Sequence, residues 1–226
     1  MAGRRFAVDL SPDRILVWVR GDGLIVDEPA LAAWSESARK VTAFGDLAAR
    51  QLAEGKEGVV EVHPLGLREL GDPEAAGQLV RQLTARVVGR ITFARHELVL
   101  AVPSCLSTAA RRVLLDAALA SGARMAHLLD VPVAMGFGAG LPVTSWDPSP
   151  VLYLIPQGAQ AGIVCHHGLL ADGSLELALP TGPPAEAEVE RVRELVEEVF
   201  ASAPLGSRPR LQAAGLSLAG RGVELE

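Results

Sequence analysis

The stretch from Glu97 to Val143, ELVLAVPSCLSTAARRVLLDAALASGARMAHLLDVPVAMGFGAGLPV, constrains the fold more than any other part of the chain. Leu98–Val102 is continuously apolar, as expected of a strand covered on both faces, and Pro103 ends it. Ser107 or Thr108 can cap the helix that follows. Within it Ala110, Val113, Leu114 and Ala117 keep the i, i+3, i+4, i+7 spacing of one buried face, and Gly122 stands where a C-terminal glycine belongs. Met125–Leu129 returns as a strand, and Pro132 opens a helix of small residues ending near Gly138-Ala139-Gly140. Strand, helix, strand and helix with little slack between them predict an α/β layered domain.

Upstream, Phe6–Leu10 and Ile15–Val19 read as strands joined by the turn residues Ser11-Pro12-Asp13-Arg14, and Gly21-Asp22-Gly23 turns the chain into a third strand, Leu24–Val26. A meander followed by helix–strand alternation predicts a mixed sheet rather than a plain doubly wound one. A helix near Gly45 carries Leu47, Ala48 and Leu52, and Val59–Val62 is a short strand. Asp72 caps the next helix, with Pro73 in its first turn and Ala76, Leu79, Val80, Leu83 and Val87 on its buried face. Downstream, the polar connection 145–150 leads to strands Val151–Ile155 and Ala161–Cys165. Thr181-Gly182-Pro183-Pro184 reads as a linker near 180–185. Val189, Val192, Val196, Val199 and Phe200 stripe a charged helix that Pro204–Pro209 breaks, and 211–222 reads as a strand ending in a glycine-containing loop.

With 49% hydrophobic and 4% aromatic residues, the core must be built from Val, Leu and Ala. A net charge of −6 leaves no basic surplus to neutralise phosphates, which excludes nucleic acid as a general partner. Mean hydropathy is positive, yet charges, Pro or Gly interrupt every apolar run well short of the ~18 residues of a membrane span, and Met1–Phe6 is no signal peptide. Cys105 and Cys165 form neither a disulfide framework nor a metal-ligand pattern. A cytoplasmic protein is the expectation.

The residues resemble the MreB family, bacterial members of the actin and Hsp70 ATPase superfamily. The matching pieces fall in family order along nearly the whole chain: Asp9-Leu10 before a hairpin, the run Gly21–Pro29, His63-Pro64-Leu65 with Asp72, and above all Val102-Pro103, Ala110-Arg111-Arg112, Ala117-Ala118, Gly122-Ala123, Pro132 and Gly138–Val143. The resemblance implies an actin-like (ribonuclease H-like) mixed sheet flanked by helices, with a first lobe over 1–150 and a much reduced second lobe over 151–226. In that family ATP sits between two lobes, held by two phosphate loops and an adenosine loop, and a carboxylate orients the attacking water.

Each of those stations is altered. The first loop, Gly-Thr in the family, is Ser11-Pro12-Asp13; proline supplies no N–H, and Asp13 would set negative charge beside a triphosphate. The second loop, normally an aspartate followed by glycines and threonines, is Leu154-Ile155-Pro156-Gln157-Gly158-Ala159-Gln160. The water-orienting glutamate falls on Val131, which can accept no proton, and Asp130 lies one residue off. Ala219-Gly220-Arg221-Gly222 resembles a weakened adenosine loop. Asp9, Gly158, Gly220 and Gly222 remain as degenerate remnants of cofactor binding.

Other chemistry has plainer explanations. Cys105 reads as a small residue before a helix cap rather than a nucleophile. His166-His167, on a strand, would point to opposite faces, a poor metal site, and a polar turn explains them as well. In MreB-like proteins an apolar loop helps dock the filament on the membrane; here Ile91 and Phe93, between Arg90 and Arg95, occupy that place as a weak membrane contact. An ordinary loop is the plainer reading.

The expectation is therefore a non-hydrolysing, MreB-like scaffold of cell-shape or cell-wall (peptidoglycan) synthesis machinery. It is expected to need no cofactor or metal and to work through protein partners, full-length MreB or wall-synthesis proteins, in the cytoplasm or peripherally at the inner face of the membrane. The alternatives are an ATP- and magnesium-binding actin-like polymer and a pilus or division adaptor of the same fold.

Overall fold

The computed structural model describes residues 4–89, 96–179, 184–211 and 214–220. The chain packs as two compact units: residues 1–102 with 106–129, and residues 103–105 with 130–226.

In the first unit β1 (Arg5–Leu10), β2 (Arg14–Val19), β3 (Gly23–Pro29), β7 (His96–Val102) and β8 (Ala123–Asp130) form one sheet in the order β3-β2-β1-β7-β8. β1 runs antiparallel to β2, with Val8 opposite Val17, and parallel to β7, with Val8 beside Leu100. This is the predicted mixed sheet. The period of two puts Phe6, Val8, Leu10, Ile15, Val17, Val19, Leu98, Leu100 and Val102 on one buried face. Against it lie α2 (Pro73–Val88), through Leu79, Val80, Leu83 and Val87, and α3 (Thr108–Ala120), through Ala110, Leu114 and Ala117. Both helices begin on predicted caps: Asp72 accepts from the Ala75 N–H at 2.9 Å, and the Ser107 hydroxyl from that of Ala110 at 3.2 Å. Gly122 follows α3 at φ +91°, a left-handed conformation that favours glycine.

A second sheet of this unit, β5-β4-β6, joins β4 (Ala32–Ser35), β5 (Lys40–Phe44) and β6 (Val59–Val62), with α1 (Gly45–Ala53) packed on it through Ala48. Only β6 and α1 are predicted from sequence. The hairpin of β4 and β5 has no strong period, because its buried residues are largely alanines: Ala32, Ala33 and Ala43.

The second unit is a sheet between two helices. β9 (Ser149–Ile155), β10 (Gly158–Cys165), β11 (Gly168–Glu176) and β12 (Ser217–Gly220) lie in the order β11-β10-β9-β12. α4 (Val131–Gly138) covers one face, where Val151 and Val164 pack with Val133 and Met135. α5 (Glu186–Ser202) covers the other through Leu195 and Val199, over Leu152, Leu154, Ala161 and Ile163. β9 and β10 are consequently buried along their whole length. The second unit takes in α4 ahead of the expected boundary at 150, because α4 is seated on this sheet. A Cβ on Gly162 of β10 would stand 2.6 Å from Pro132 Cβ and 3.1 Å from Leu169 Cδ1, so only a glycine admits this approach.

Residues 103–105 join the same unit by polar contacts. The Ser104 N–H donates to Gln160 Oε1 at 3.4 Å, and Cys105 Sγ donates to Asp172 Oδ2 at 3.1 Å. Burial pushes the Cys105 thiol up. Its bond to Asp172 and that carboxylate's charge add to the rise, while hydrogen bonds with Ser174 and Ser104 oppose it.

Two outcomes test this packing. Gly162→Ala, with no room beside Pro132, should lower the unfolding free energy measured in urea by about 1–3 kcal/mol; an unchanged unfolding curve would refute the close approach. Iodoacetamide should label Cys105 more slowly at pH 8 than a free cysteine, because less thiolate is present. Asp172→Asn should move the labelling profile to lower pH by removing the carboxylate.

Candidate functional site

The first station lies at the end of β1. Asp9 is half-buried and accepts the Ser11 hydroxyl proton at 2.7 Å. Ser11 and Pro12 are buried beneath the turn. The Asp13 carbonyl accepts from the Ala30 N–H at 3.0 Å, while Asp13 Oδ1 is buried with no hydrogen-bond partner. The turn therefore carries two carboxylates, Asp9 and Asp13, and a proline without an N–H. That is the reverse of the converging N–H donors that cradle a phosphate.

The second station is the hairpin joining β9 and β10. Ile155 faces Gly158, leaving Pro156 and Gln157 as the turn. Its carbonyls are taken up within the unit: the Leu177 N–H donates to Gln157 O at 3.1 Å and the Leu179 N–H to Pro156 O at 2.8 Å. Leu154, where the resemblance places an aspartate, is buried in the core beneath α5. Gly220 pairs with Leu154 across β9 and β12, and a Cβ there would meet the Leu154 carbonyl oxygen at 2.9 Å. This glycine thus has a packing reason of its own. Gly158 and Gly220 are brought to the same end of β9. Asp9 belongs to the first unit, and Gly222 lies outside the described residues, as do Ile91 and Phe93.

At the third station Val131 is the first residue of α4 and only 5% exposed. Asp130, directly before it, is the N-cap in extended conformation. A buried isopropyl group there can neither accept a proton nor hold a water.

Elsewhere in the second unit the structure shows the polar turn before Gly168 that the sequence offers for His166 and His167. His166 and His167 sit in the turn between β10 and β11, not on a strand, and their rings meet edge to face with centroids 3.8 Å apart. Trp146, 65% exposed, lies tilted against His166 at 3.8 Å and edge-on to His167 at 4.8 Å. Sequence reasoning missed this cluster because its members come from separate connections; the sole hint is an aromatic residue in a polar, proline-rich loop. Among the described residues, no group of three His, Cys, Asp or Glu side chains could hold a metal ion. No helix among them is long and apolar enough to cross a membrane.

A family model described as MreB/Mbl protein matches residues 3–178. The cell shape-determining protein Mbl of Bacillus subtilis is 23% identical over 178 residues, covering 79% of this chain and 54% of that protein. The chain spans about half the length of the curated relatives it matches. Among solved structures, MreB5 of Spiroplasma citri bound to AMPPNP superposes with a TM-score of 0.81 at 16% identity, covering 98% of this chain and 86% of that one. A MamK double helical filament gives 0.71 at 14% identity, covering 96% and 86%. These likenesses establish the actin-like fold, and the family match covers residues 11–13, 131 and 154–160. The chain belongs to the MreB/Mbl family.

Proposed function

We propose that the chain is a non-hydrolysing, MreB-like scaffold that serves cell-shape or cell-wall synthesis machinery through protein contacts, with full-length MreB or wall-synthesis proteins as partners. Its place is the cytoplasm and, peripherally, the inner face of the membrane, with Ile91 and Phe93 adding a weak surface contact. Asp9, Gly158, Gly220 and Gly222 are remnants of a nucleotide site.

The observation that carries this reading is Val131, buried at the position where the resemblance places the water-orienting glutamate. The other stations agree with it. A triphosphate with magnesium asks for converging N–H groups, small hydroxyls and a carboxylate for metal-bound water. The turn Ser11-Pro12-Asp13 and buried Leu154 do not fit that group.

A second reading keeps a working ATP-driven polymer. Its support is family membership, together with relatives that are described as bound to AMPPNP and as a double helical filament. A pilus or division adaptor of the same fold would instead capture membrane assembly proteins without MreB in a pull-down.

Isothermal titration with ATP and magnesium should show no binding, and pelleting in a centrifuge should not depend on nucleotide. Micromolar affinity or nucleotide-dependent pelleting would favour the polymer. Restoring the carboxylate with Leu154→Asp should not create ATP binding. It should cost about 3–5 kcal/mol in chemical denaturation, as an uncompensated buried charge does; a variant as stable as the parent would show that this position still tolerates a site.

A further inference from the structure

We infer that Trp146, ringed by His166, His167, Asp147 and Arg210, is a platform for an uncharged pyranoside, with the sugar's flat C–H face laid on the indole. The site goes beyond the scaffold reading, which invokes proteins and a membrane surface only.

An indole left 65% exposed forgoes apolar burial that a core position would recover. Trp146 is nevertheless held in place from several sides. The Ser145 N–H donates to Pro142 O at 2.7 Å, and the His166 N–H donates to Ser145 O at 2.8 Å. The Asp147 N–H donates to the Ser145 hydroxyl at 3.2 Å. Arg210, from α6 (Arg208–Leu211), donates to Asp147 Oδ1 at 3.2 Å. The ring itself lies tilted against His166 and edge-on to His167, with centroids at 3.8 and 4.8 Å. One side of the indole is therefore packed on an imidazole while the residue as a whole stays open to water. A ligand meeting the free face finds it already ordered and loses little to freezing loop and rotamer.

The surroundings narrow what that ligand can be. Asp147 and Arg210 form an ion pair, so neither a phosphate nor an ammonium group meets an unpaired counter-charge at the rim. An aliphatic side chain gains most in a pocket walled on several sides, and an indole standing on a surface connection offers one open plane. The rim is instead rich in hydrogen-bonding groups. The carboxylate of Asp147 accepts, the guanidinium of Arg210 donates, the Ser145 hydroxyl does both, and each neutral imidazole does one of each. A flat apolar face inside a neutral, hydrogen-bonding rim suits a ligand that is apolar on its faces and hydroxylated at its edge. A pyranose with equatorial hydroxyls has that form: its ring C–H groups point up and down, and its hydroxyls radiate in the ring plane.

The test adds cellotriose, a short chain of all-equatorial glucose units, to the whole protein and follows the tryptophan indole N–H resonances. One resonance, absent from Trp146→Phe, should move saturably with a dissociation constant on the order of 1 mM. Sorbitol, which has the hydroxyls without the ring, should leave it in place. Trp146→Ala should weaken binding, read by calorimetry, at least about tenfold, and Trp146→Phe, which keeps a smaller ring, by less. Asp147→Asn should weaken it about threefold or more by turning a charged acceptor into a neutral one. All three side chains are exposed, so circular dichroism and the thermal midpoint should stay those of the parent. Equal shifts with sorbitol, calorimetric binding that survives Trp146→Ala, or no saturation by about 50 mM would overturn the proposal. A hexaproline peptide that moves the same resonance at lower concentration than cellotriose would also overturn it, assigning the platform to a protein segment.

Discussion

Both units depend on one constraint: a central strand that hydrogen-bonds on both sides, buried at alternate residues in β1 and along its whole length in β9. β1 holds β2 by a local hairpin and β7 by a parallel pairing of residues far away in sequence. β9 does the same with β10 and β12. A strand in that position has no edge exposed to water, and a strand covered on both faces has no room for charge along its middle. Polar chemistry can sit only where such strands end. Asp9 lies at the end of β1, Leu154 next to last in β9, and Val131 directly after β8. In open α/β sheets ligand groups gather beyond the strand ends for this reason. Leu154 and Val131 are buried at such positions, where the core has a use for hydrocarbon.

Local pattern carried most of the fold. The apolar run of β7, the alternation of β1 and β2, the caps at Asp72 and Ser107 and the buried stripes of α2 and α3 follow from spacing and appear where spacing puts them. The absent predictions share a cause. β11 contains Gly168, Asp172, Gly173 and Ser174, residues of weak strand propensity, and it forms because β10 offers an edge and because Gly173 lets Leu195 and Val199 approach within 2.9 Å of where a Cβ would stand. β4 and β5 bury alanines, whose small side chains give no clear period. His166 and His167 fall in the polar turn that the sequence also offers, where the alternation of strand faces does not apply.

The site was legible in a different sense. The altered positions could be named from the sequence, because each substitution changes the kind of chemistry available. What each replacement does instead was not legible. Whether Val131 and Leu154 face solvent or core depends on α4 and α5, whose packing arises from long-range contacts no local window contains. Gly220, read as part of a weakened loop, has in the structure a packing role against the Leu154 carbonyl.

That difference bears on the proposed reading of the site. A carboxylate at 154 or 131 is tolerable while a metal-bound nucleotide and its water offset the cost of burying charge. Without that ligand the same carboxylate is a liability. Leucine and valine at those positions each add about 1.5–3 kcal/mol of apolar burial, an upper range for a fully buried side chain. Selection for stability alone would therefore favour them once nucleotide is no longer required. Asp9 is the converse case. Its carboxylate is hydrogen-bonded to Ser11 and so retains work in closing the β1–β2 turn whether or not a phosphate is near. On the proposed reading, the acidic residue that stays is the one with a structural partner of its own, while residues 131 and 154 are hydrocarbon where the fold has a use for it.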